Sequence, residues 1–306
     1  MVVTNTERVL AILGPTCTGK SDLGIKLART FHGEIVNADS MQVYRHFDIG
    51  SAKPALEVRA AVPHHLVDVV QPDEEFNAAL FKKLADSAIK ETWERGALPV
   101  VVGGTGLYIR ALFHGLFVLG KDPAVREEIR KRYDEDPLAV YEELKRVDRE
   151  YAMRISFRDR LRVVRALEVH GVSGKNMTQW QEEHDFREER YCVLKIGLTQ
   201  MRPELYERIN RRVEAMLEAG WEDEVRKLLE RFPPAVKPFG GIGYKEILLF
   251  LSGALGREKM VELIKKNTRH YAKRQLTWFA GERNIEWFRY PEDLAAITKR
   301  VEEFLS

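Results

Sequence analysis

The chain has 306 residues, of which 44% are hydrophobic and 31% charged, and its formal net charge is +2. A chain of this size and balance suits one large domain or two smaller ones. It excludes a protein that meets a polyanion with its whole surface, so any nucleic acid must be met by local clusters of Lys and Arg. Two cysteines, Cys17 and Cys192, are too few for a disulfide framework or a four-ligand zinc site. Residues 1 to 8 hold no apolar signal-peptide core, and apolar runs such as Leu98 to Val102 are far shorter than the roughly 20 residues of a membrane span, so a soluble, cytoplasmic protein is expected.

In chain order, Val9 to Leu13 reads as a strand entering a glycine-bounded loop, and Ser21 to Phe31 as a helix with Leu23, Leu27, Ala28 and Phe31 on one face. The runs Ile35 to Ala38, Leu66 to Val70 and Pro99 to Val102 are short, β-branched and bounded by turn residues, as strands buried on both faces are. Helical spacing fills the gaps, notably Asn77 to Arg95. This alternation to about residue 115 predicts a mostly parallel sheet covered on both sides. From Lys121 to Arg187 charged residues dominate, and Leu138, Tyr141, Leu144 and Val147 repeat at helical spacing, which predicts a helical insertion. The sheet resumes at Tyr191 to Leu198. One or two helices follow over Pro203 to Arg231, and the mainly helical remainder is expected to hold a last strand at Ile285 to Tyr290.

The segment from Gly14 through Pro15, Thr16, Cys17, Thr18, Gly19 and Lys20 to Ser21 fits the P-loop spacing and lies between a strand and a helix. Its glycines let backbone N–H groups turn inward around phosphate oxygens, Lys20 neutralises charge, and the Ser21 hydroxyl suits a Mg²⁺ ion. Spacing alone leaves open whether the phosphates belong to ATP or another nucleotide, or to a different diphosphate. Asp39, after the second strand, stands where such sheets gather site residues; it reads as a general base, as an outer ligand of Mg²⁺, or as a helix cap or turn residue. Gly103 to Gly106 holds Thr105 at the next strand end, and a glycine turn capping a helix explains it equally well. Basic clusters at Arg126 to Arg132, Arg158 to Arg165 and Lys265 to Arg274, the last running into Gln275, Trp278 and Phe279, read as RNA contacts or as solvated helix faces. His64 and His65 lack partners at metal spacing and read as structural; Met216 and Leu217 read as core.

Seven segments in order, GPTCTGKS at 14–21, ADSMQVYR at 38–45, DIGSAKP at 48–54, GGTGLY at 103–108, RVVRALEV at 162–169, GIGYKE at 241–246 and YAKRQLTWF at 271–279, together resemble the tRNA dimethylallyltransferase family over nearly the whole chain. The resemblance implies an α/β P-loop NTPase, kinase-like core with a parallel sheet over 1–118 and 190–306, and an all-helical insertion over 119–189 that grips the anticodon stem-loop. It implies transfer of a dimethylallyl group from dimethylallyl diphosphate to N6 of the adenosine immediately 3′ of the anticodon. Gly14 and Thr16 to Ser21 would hold the diphosphate with Mg²⁺, and Arg212 would reach the same group. Asp39 would be the base and Thr105 would lie beside the amine. The tRNA contacts implied are Asp39, Ser40, Met41, Gln42, Thr105, Arg126, Leu161, Arg162, Val163, Val164, Arg165, Gly241, Ile242, Gly243, Tyr244, Lys245, Lys273, Arg274, Gln275 and Trp278. Cys17 stands where alanine is more usual in that family, and the lack of a following zinc finger points to the bacterial type. Nothing demands more than a monomer. The residues leave three other readings open: a P-loop kinase of small molecules, an adenylate isopentenyltransferase acting on free nucleotides, and a non-catalytic RNA-binding regulator with a nucleotide switch.

Overall fold

The computed structural model describes residues 7–116, 122–184 and 189–306, so Lys121 and Arg187, the expected ends of the insertion, lie outside the described residues. The chain forms two compact units, one of residues 1–113 with 190–306 and one of residues 114–189.

The first unit begins with β1 (Arg8–Leu13), α1 (Lys20–Thr30), β2 (Gly33–Ala38), α2 (Leu56–Ala61), β3 (His64–His65), α3 (Ala78–Glu94), β4 (Leu98–Gly103) and α4 (Gly106–His114). The second holds α5 (Pro123–Glu135), α6 (Pro137–Val147), α7 (Arg149–Arg154), α8 (Arg160–Ser173) and α9 (Met177–His184). The first unit then resumes with β5 (Cys192–Leu198), α10 (Arg202–Glu218), α11 (Trp221–Leu229), a 3₁₀ turn (Lys237–Gly240), α12 (Tyr244–Leu251), α13 (Arg257–Ala280), β6 (Ile285–Phe288) and α14 (Leu294–Leu305).

All strand pairs are parallel, in the order β3-β2-β4-β1-β5-β6. The central strand β1 has β4 and β5 as neighbours, and its side chains alternate between two cores. Val9, Ala11 and Leu13 pack with Val36, Val101, Phe81 and Phe113; Leu10 and Ile12 pack with Leu23, Leu27, Val100 and Ile196. Burial on both faces explains why these strands read as unbroken apolar runs. Each large aliphatic side chain removed from water stabilises the unit by about 1.5–3 kcal/mol before entropy is counted.

One expectation changes. Leu66 to Val70 is not a strand, because Leu66 (φ 61°) and Asp68 (φ 58°) take left-handed conformations that break pairing. The edge strand is His64–His65 instead, and Leu66 and Val70 are buried as packing residues of a loop. The stretch Pro203 to Arg231 divides into α10 and α11 at Gly220, whose φ of 93° ends the first helix. Asn77 caps α3, its side chain accepting from the N–H groups of Ala79 and Leu80.

The first unit closes where the chain leaves and re-enters it: the Arg190 N–H donates to the Phe113 carbonyl at 2.8 Å. Asp86 pins the returning chain, accepting from the Arg190 guanidinium at 2.9 Å and from the Tyr191 hydroxyl at 2.5 Å. In the second unit, Asp122, Asp136, Asp148 and Asp159 each cap a helix through backbone N–H groups, and Pro123 and Pro137 occupy first-turn positions.

A buried carboxylate secures the β2 edge. Glu34 accepts from Arg95 Nη2 at 2.6 Å and from Thr92 Oγ1 at 3.1 Å, and it lies 2.7 Å from His65 Nε2. The Arg95 hydrogen bonds lead in lowering its pKa from the usual 4.5 to about 2, against the opposing effect of burial. A lowered folded-state value stabilises the fold above the unfolded value, and that contribution is lost as pH falls from about 4.5 towards 2. Glu34→Gln should therefore cost about 2 kcal/mol at neutral pH, with the difference from the parent chain shrinking below pH 4.5. Urea unfolding from pH 3 to 7 checks this, and a pH-independent difference would contradict it.

Candidate active site

Three loops meet at the carboxyl ends of adjacent strands: residues 14–19 after β1, 39–42 after β2 and 104–105 after β4. Strand-to-strand register fixes their spacing, since Leu13 lies beside Gly103 and Gly103 beside Ala38. The contact is so close that a Cβ on Gly103 would lie 2.3 Å from the Ala38 oxygen, so glycine is required there. With α10 and α13 the loops line a cleft of about 640 Å³.

The P-loop supplies the basic end of the cleft. Lys20 Nζ donates to the Pro15 carbonyl at 2.6 Å, and Thr18 Oγ1 donates to the same oxygen at 2.9 Å, which ties the loop to its own helix. Arg212 arrives from α10, its Nη1 3.7 Å from Cys17 Sγ. Burial first, and the neighbouring Arg212 charge second, lower the Lys20 pKa from 10.5 to about 8. Among the described residues neither cation forms an ion pair with a carboxylate, so two cations share a cradle that an anion would complete. Ser21 also lines the cleft, at the first turn of α1.

Asp39 faces this end. Its Oδ1 accepts from the N–H groups of Met41 at 2.7 Å and Gln42 at 3.3 Å, so the turn role and a site role coexist in one side chain. Among the described residues its other oxygen has no hydrogen-bond partner. Thr105 joins the loops, its Oγ1 accepting from the Ser40 N–H at 3.2 Å. Tyr271 completes this corner; burial, and then the charge of Asp39, raise its hydroxyl pKa above the usual range.

Met41, Ile209, Val213, Met216, Trp221 and Ile242 give the cleft an apolar wall. Ile209, Arg212, Val213 and Met216 lie at i, i+3, i+4 and i+7 on α10, so that helix presents a cation and apolar groups on one face. Met216, expected as core, packs against the core and also lines this wall. Tyr271 and Trp221 were not anticipated. The helical spacing around Arg212 contains the signal for Met216, whereas no local pattern marks Trp221.

The expected RNA contacts divide. Met41, Gln42, Gly241, Ile242, Lys245 and Arg274 line the cleft, and Leu161, Arg162 and Lys273 are exposed. Others are engaged by partners within the protein, Gln275 while it also lines the cleft. Val163 and Val164 sit in the core of the second unit, where an apolar group lowers the free energy most. Tyr244 is buried with its hydroxyl donating to Glu224 at 2.7 Å, and Gln275 is buried between two loops. Gly243 lies beneath the Trp221 ring, and Trp278 packs on Gly106 with the Arg110 guanidinium 4.5 Å from its ring centre. Arg126 and Arg165 lie 3.2 and 2.8 Å from the buried Glu168.

The family model described as IPP transferase matches residues 42–283, and one described as Isopentenyl transferase matches residues 7–67. The tRNA dimethylallyltransferase 1 of Pelobacter propionicus is 48% identical over 303 residues, covering 97% of each chain. The tRNA dimethylallyltransferase of Geobacter sulfurreducens is 45% identical over 300 residues, covering 97% of this chain and 96% of its own. Among solved structures, the full-length tRNA isopentenylpyrophosphate transferase of Bacillus halodurans is 38% identical, covers 98% of this chain and 97% of its own, and superposes with a TM-score of 0.73. A eukaryotic dimethylallyltransferase acting on tRNA, 30% identical, covers 97% of this chain and 80% of its own with a TM-score of 0.80.

A cation with a lowered pKa makes anion binding proton-linked. Below about pH 8 Lys20 is charged before an anion arrives; above it, binding must draw a proton from solvent. Affinity for a diphosphate should therefore fall as pH rises above about 8. Calorimetry above pH 8 in buffers of different ionisation enthalpy should report proton uptake on binding. Proton-independent binding would show that Lys20 does not face the anion.

Proposed function

The chain belongs to the tRNA dimethylallyltransferase family, and from that premise we propose that it transfers the dimethylallyl group of dimethylallyl diphosphate to N6 of the adenosine immediately 3′ of the tRNA anticodon, releasing diphosphate. The observation that carries the chemistry is the facing of a two-cation anion cradle, Lys20 with Arg212, by the carboxylate of Asp39 in one cleft with an apolar wall.

Dimethylallyl diphosphate has one part for each region of that cleft. Its anionic leaving group matches the loop amides, Lys20 and Arg212, whose charge is in place before any bond breaks, so little reorganisation accompanies departure. Its five-carbon portion matches the wall of Ile209, Val213, Met216 and Trp221, which keeps water from an allylic carbon that becomes cation-like. The amine of adenine is a poor nucleophile. Asp39 improves it by accepting the N6 proton on the oxygen left free by the Met41 and Gln42 N–H groups, a contribution of about 10²- to 10⁴-fold. Thr105, fixed by Ser40, orients the amine. The base must leave its stack to reach this cleft, at a cost of a few kcal/mol that is smallest in an unpaired loop.

The residues fit Mg²⁺ in one way. Ser21 offers a hard oxygen at the first turn of α1, and no cluster of three or more His, Cys, Asp or Glu suited to a metal occurs among the described residues, which suits an ion that takes most of its ligands from phosphate and water. Bound there, the ion would add neutralisation of the leaving group. The helical unit with exposed Leu161 and Arg162, and the exposed Lys273 on α13, support contacts to the anticodon stem-loop. No helix among the described residues is long and apolar enough to cross a membrane. A monomer working in the cytoplasm is consistent with this reading.

The deciding experiment incubates the protein with labelled dimethylallyl diphosphate and, separately, unmodified tRNA, AMP or ATP; label should appear only in tRNA. Label in a free nucleotide, or none, would refute the reading. Asp39→Asn keeps the oxygen that accepts from Met41 and Gln42, so it should bind both substrates normally yet transfer at least 100-fold more slowly in a single turnover. A normal rate would remove Asp39 as base. Charge removal at Arg162 or Lys273 should raise the KM for tRNA, not that for dimethylallyl diphosphate, and flatten the dependence of RNA affinity on salt.

A further inference from the structure

We infer that Gln275 is a positioning residue for the diphosphate cradle: its carboxamide fastens both glycine-containing loops to α13, and the side chain itself touches no RNA.

Gln275 is 6% exposed. Its Oε1 accepts from the Thr16 N–H at 2.9 Å, and its Nε2 donates to the Gly104 carbonyl at 2.9 Å. The partners fix the orientation of the group, because an N–H needs the oxygen and a carbonyl needs the nitrogen. No other uncharged side chain of this length offers one acceptor and one donor side by side. The two bonds span 259 and 171 residues, so they tie together loops that the chain itself keeps far apart. Gly104 is shaped to admit the clamp, since a Cβ there would lie 2.1 Å from Gln275 Nε2.

Fixing Thr16 matters because this N–H is engaged by Gln275 and so is not offered to an anion. The loop then rises from a set point through Cys17, which takes a left-handed φ of 66°, to Gly19 and Lys20. Without the clamp, the Thr16 N–H and the Gly104 carbonyl would each lose a buried partner, and the cradle would relax to satisfy them. The same helix carries Tyr271, Arg274 and an edge of Gln275 itself to the cleft and Lys273 to the surface, so the set point of the cradle is referred to the helix proposed above to meet RNA.

This proposal rests on the functional reading only for the identity of the anion, and its test uses inorganic diphosphate. The Kd for inorganic diphosphate, the Kd for an anticodon stem-loop RNA and the thermal midpoint are measured for the parent chain, Gln275→Leu, Gln275→Met and Lys273→Ala. Both Gln275 variants should weaken diphosphate binding about tenfold or more and leave RNA binding within about twofold, and Lys273→Ala should do the reverse. The methionine variant carries the same expectation should the leucine variant fail to fold. Unchanged diphosphate affinity overturns the proposal, as does weakened RNA binding with diphosphate unaffected, which would make Gln275 an RNA contact. Equal weakening of both with loss of cooperative unfolding would leave it a packing residue only. A parent chain that binds diphosphate but modifies no tRNA would sink the functional reading and leave this one standing.

Discussion

Close approach of three backbones at the carboxyl edge of the sheet is the constraint on which the site depends. The strands β2, β4 and β1 are neighbours in register, so the loops that leave them start within hydrogen-bonding distance of one another. The Gly103–Ala38 contact leaves no room for a side chain, and Thr105 spans the remaining gap to Ser40. A cation cradle and a carboxylate are thereby held apart yet facing each other, although their residues lie in separate parts of the sequence. The apolar cores on both faces of β1 make this geometry stiff, because any shift of one loop would require a shift of a strand packed on two sides.

Much of this was legible in the residues. The P-loop has fixed spacing and a strand and helix around it, both set by local pattern, and the parallel sheet follows from alternating apolar runs. Asp39 and Thr105 stand out because strand ends are where doubly wound sheets place their chemistry. What could not be read there depends on tertiary context. Leu66 to Val70 has strand composition, but the two left-handed residues that break it are not glycine and give no warning. Gln275 lies in a basic, aromatic stretch and so resembles an RNA contact; only the fold reveals that the loops it bonds are brought to it from 171 and 259 residues away. Trp221 closes over Gly50 and Gly243, a three-way contact invisible to any window of sequence.

Side chains in the segments expected to meet RNA thus fall into two kinds. Lys273 and Arg162 are exposed and charged. Tyr244 and Gln275 sit within such motifs but are buried, Tyr244 bonded to Glu224 and Gln275 to Thr16 and Gly104. A motif of this kind is therefore a composite of presenting and supporting residues, and mutational effects within it should separate by substrate.

The hydrogen bond between Phe113 and Arg190 has an evolutionary corollary. Because the two chain ends are stitched together inside the sheet-bearing unit, and Asp86 anchors the returning end, that unit is closed whatever lies between them. The intervening helices carry their own aspartate caps and their own core, so they are specified locally. Lineages are then free to lengthen, trim or re-sculpt these helices without retuning the sheet-bearing unit.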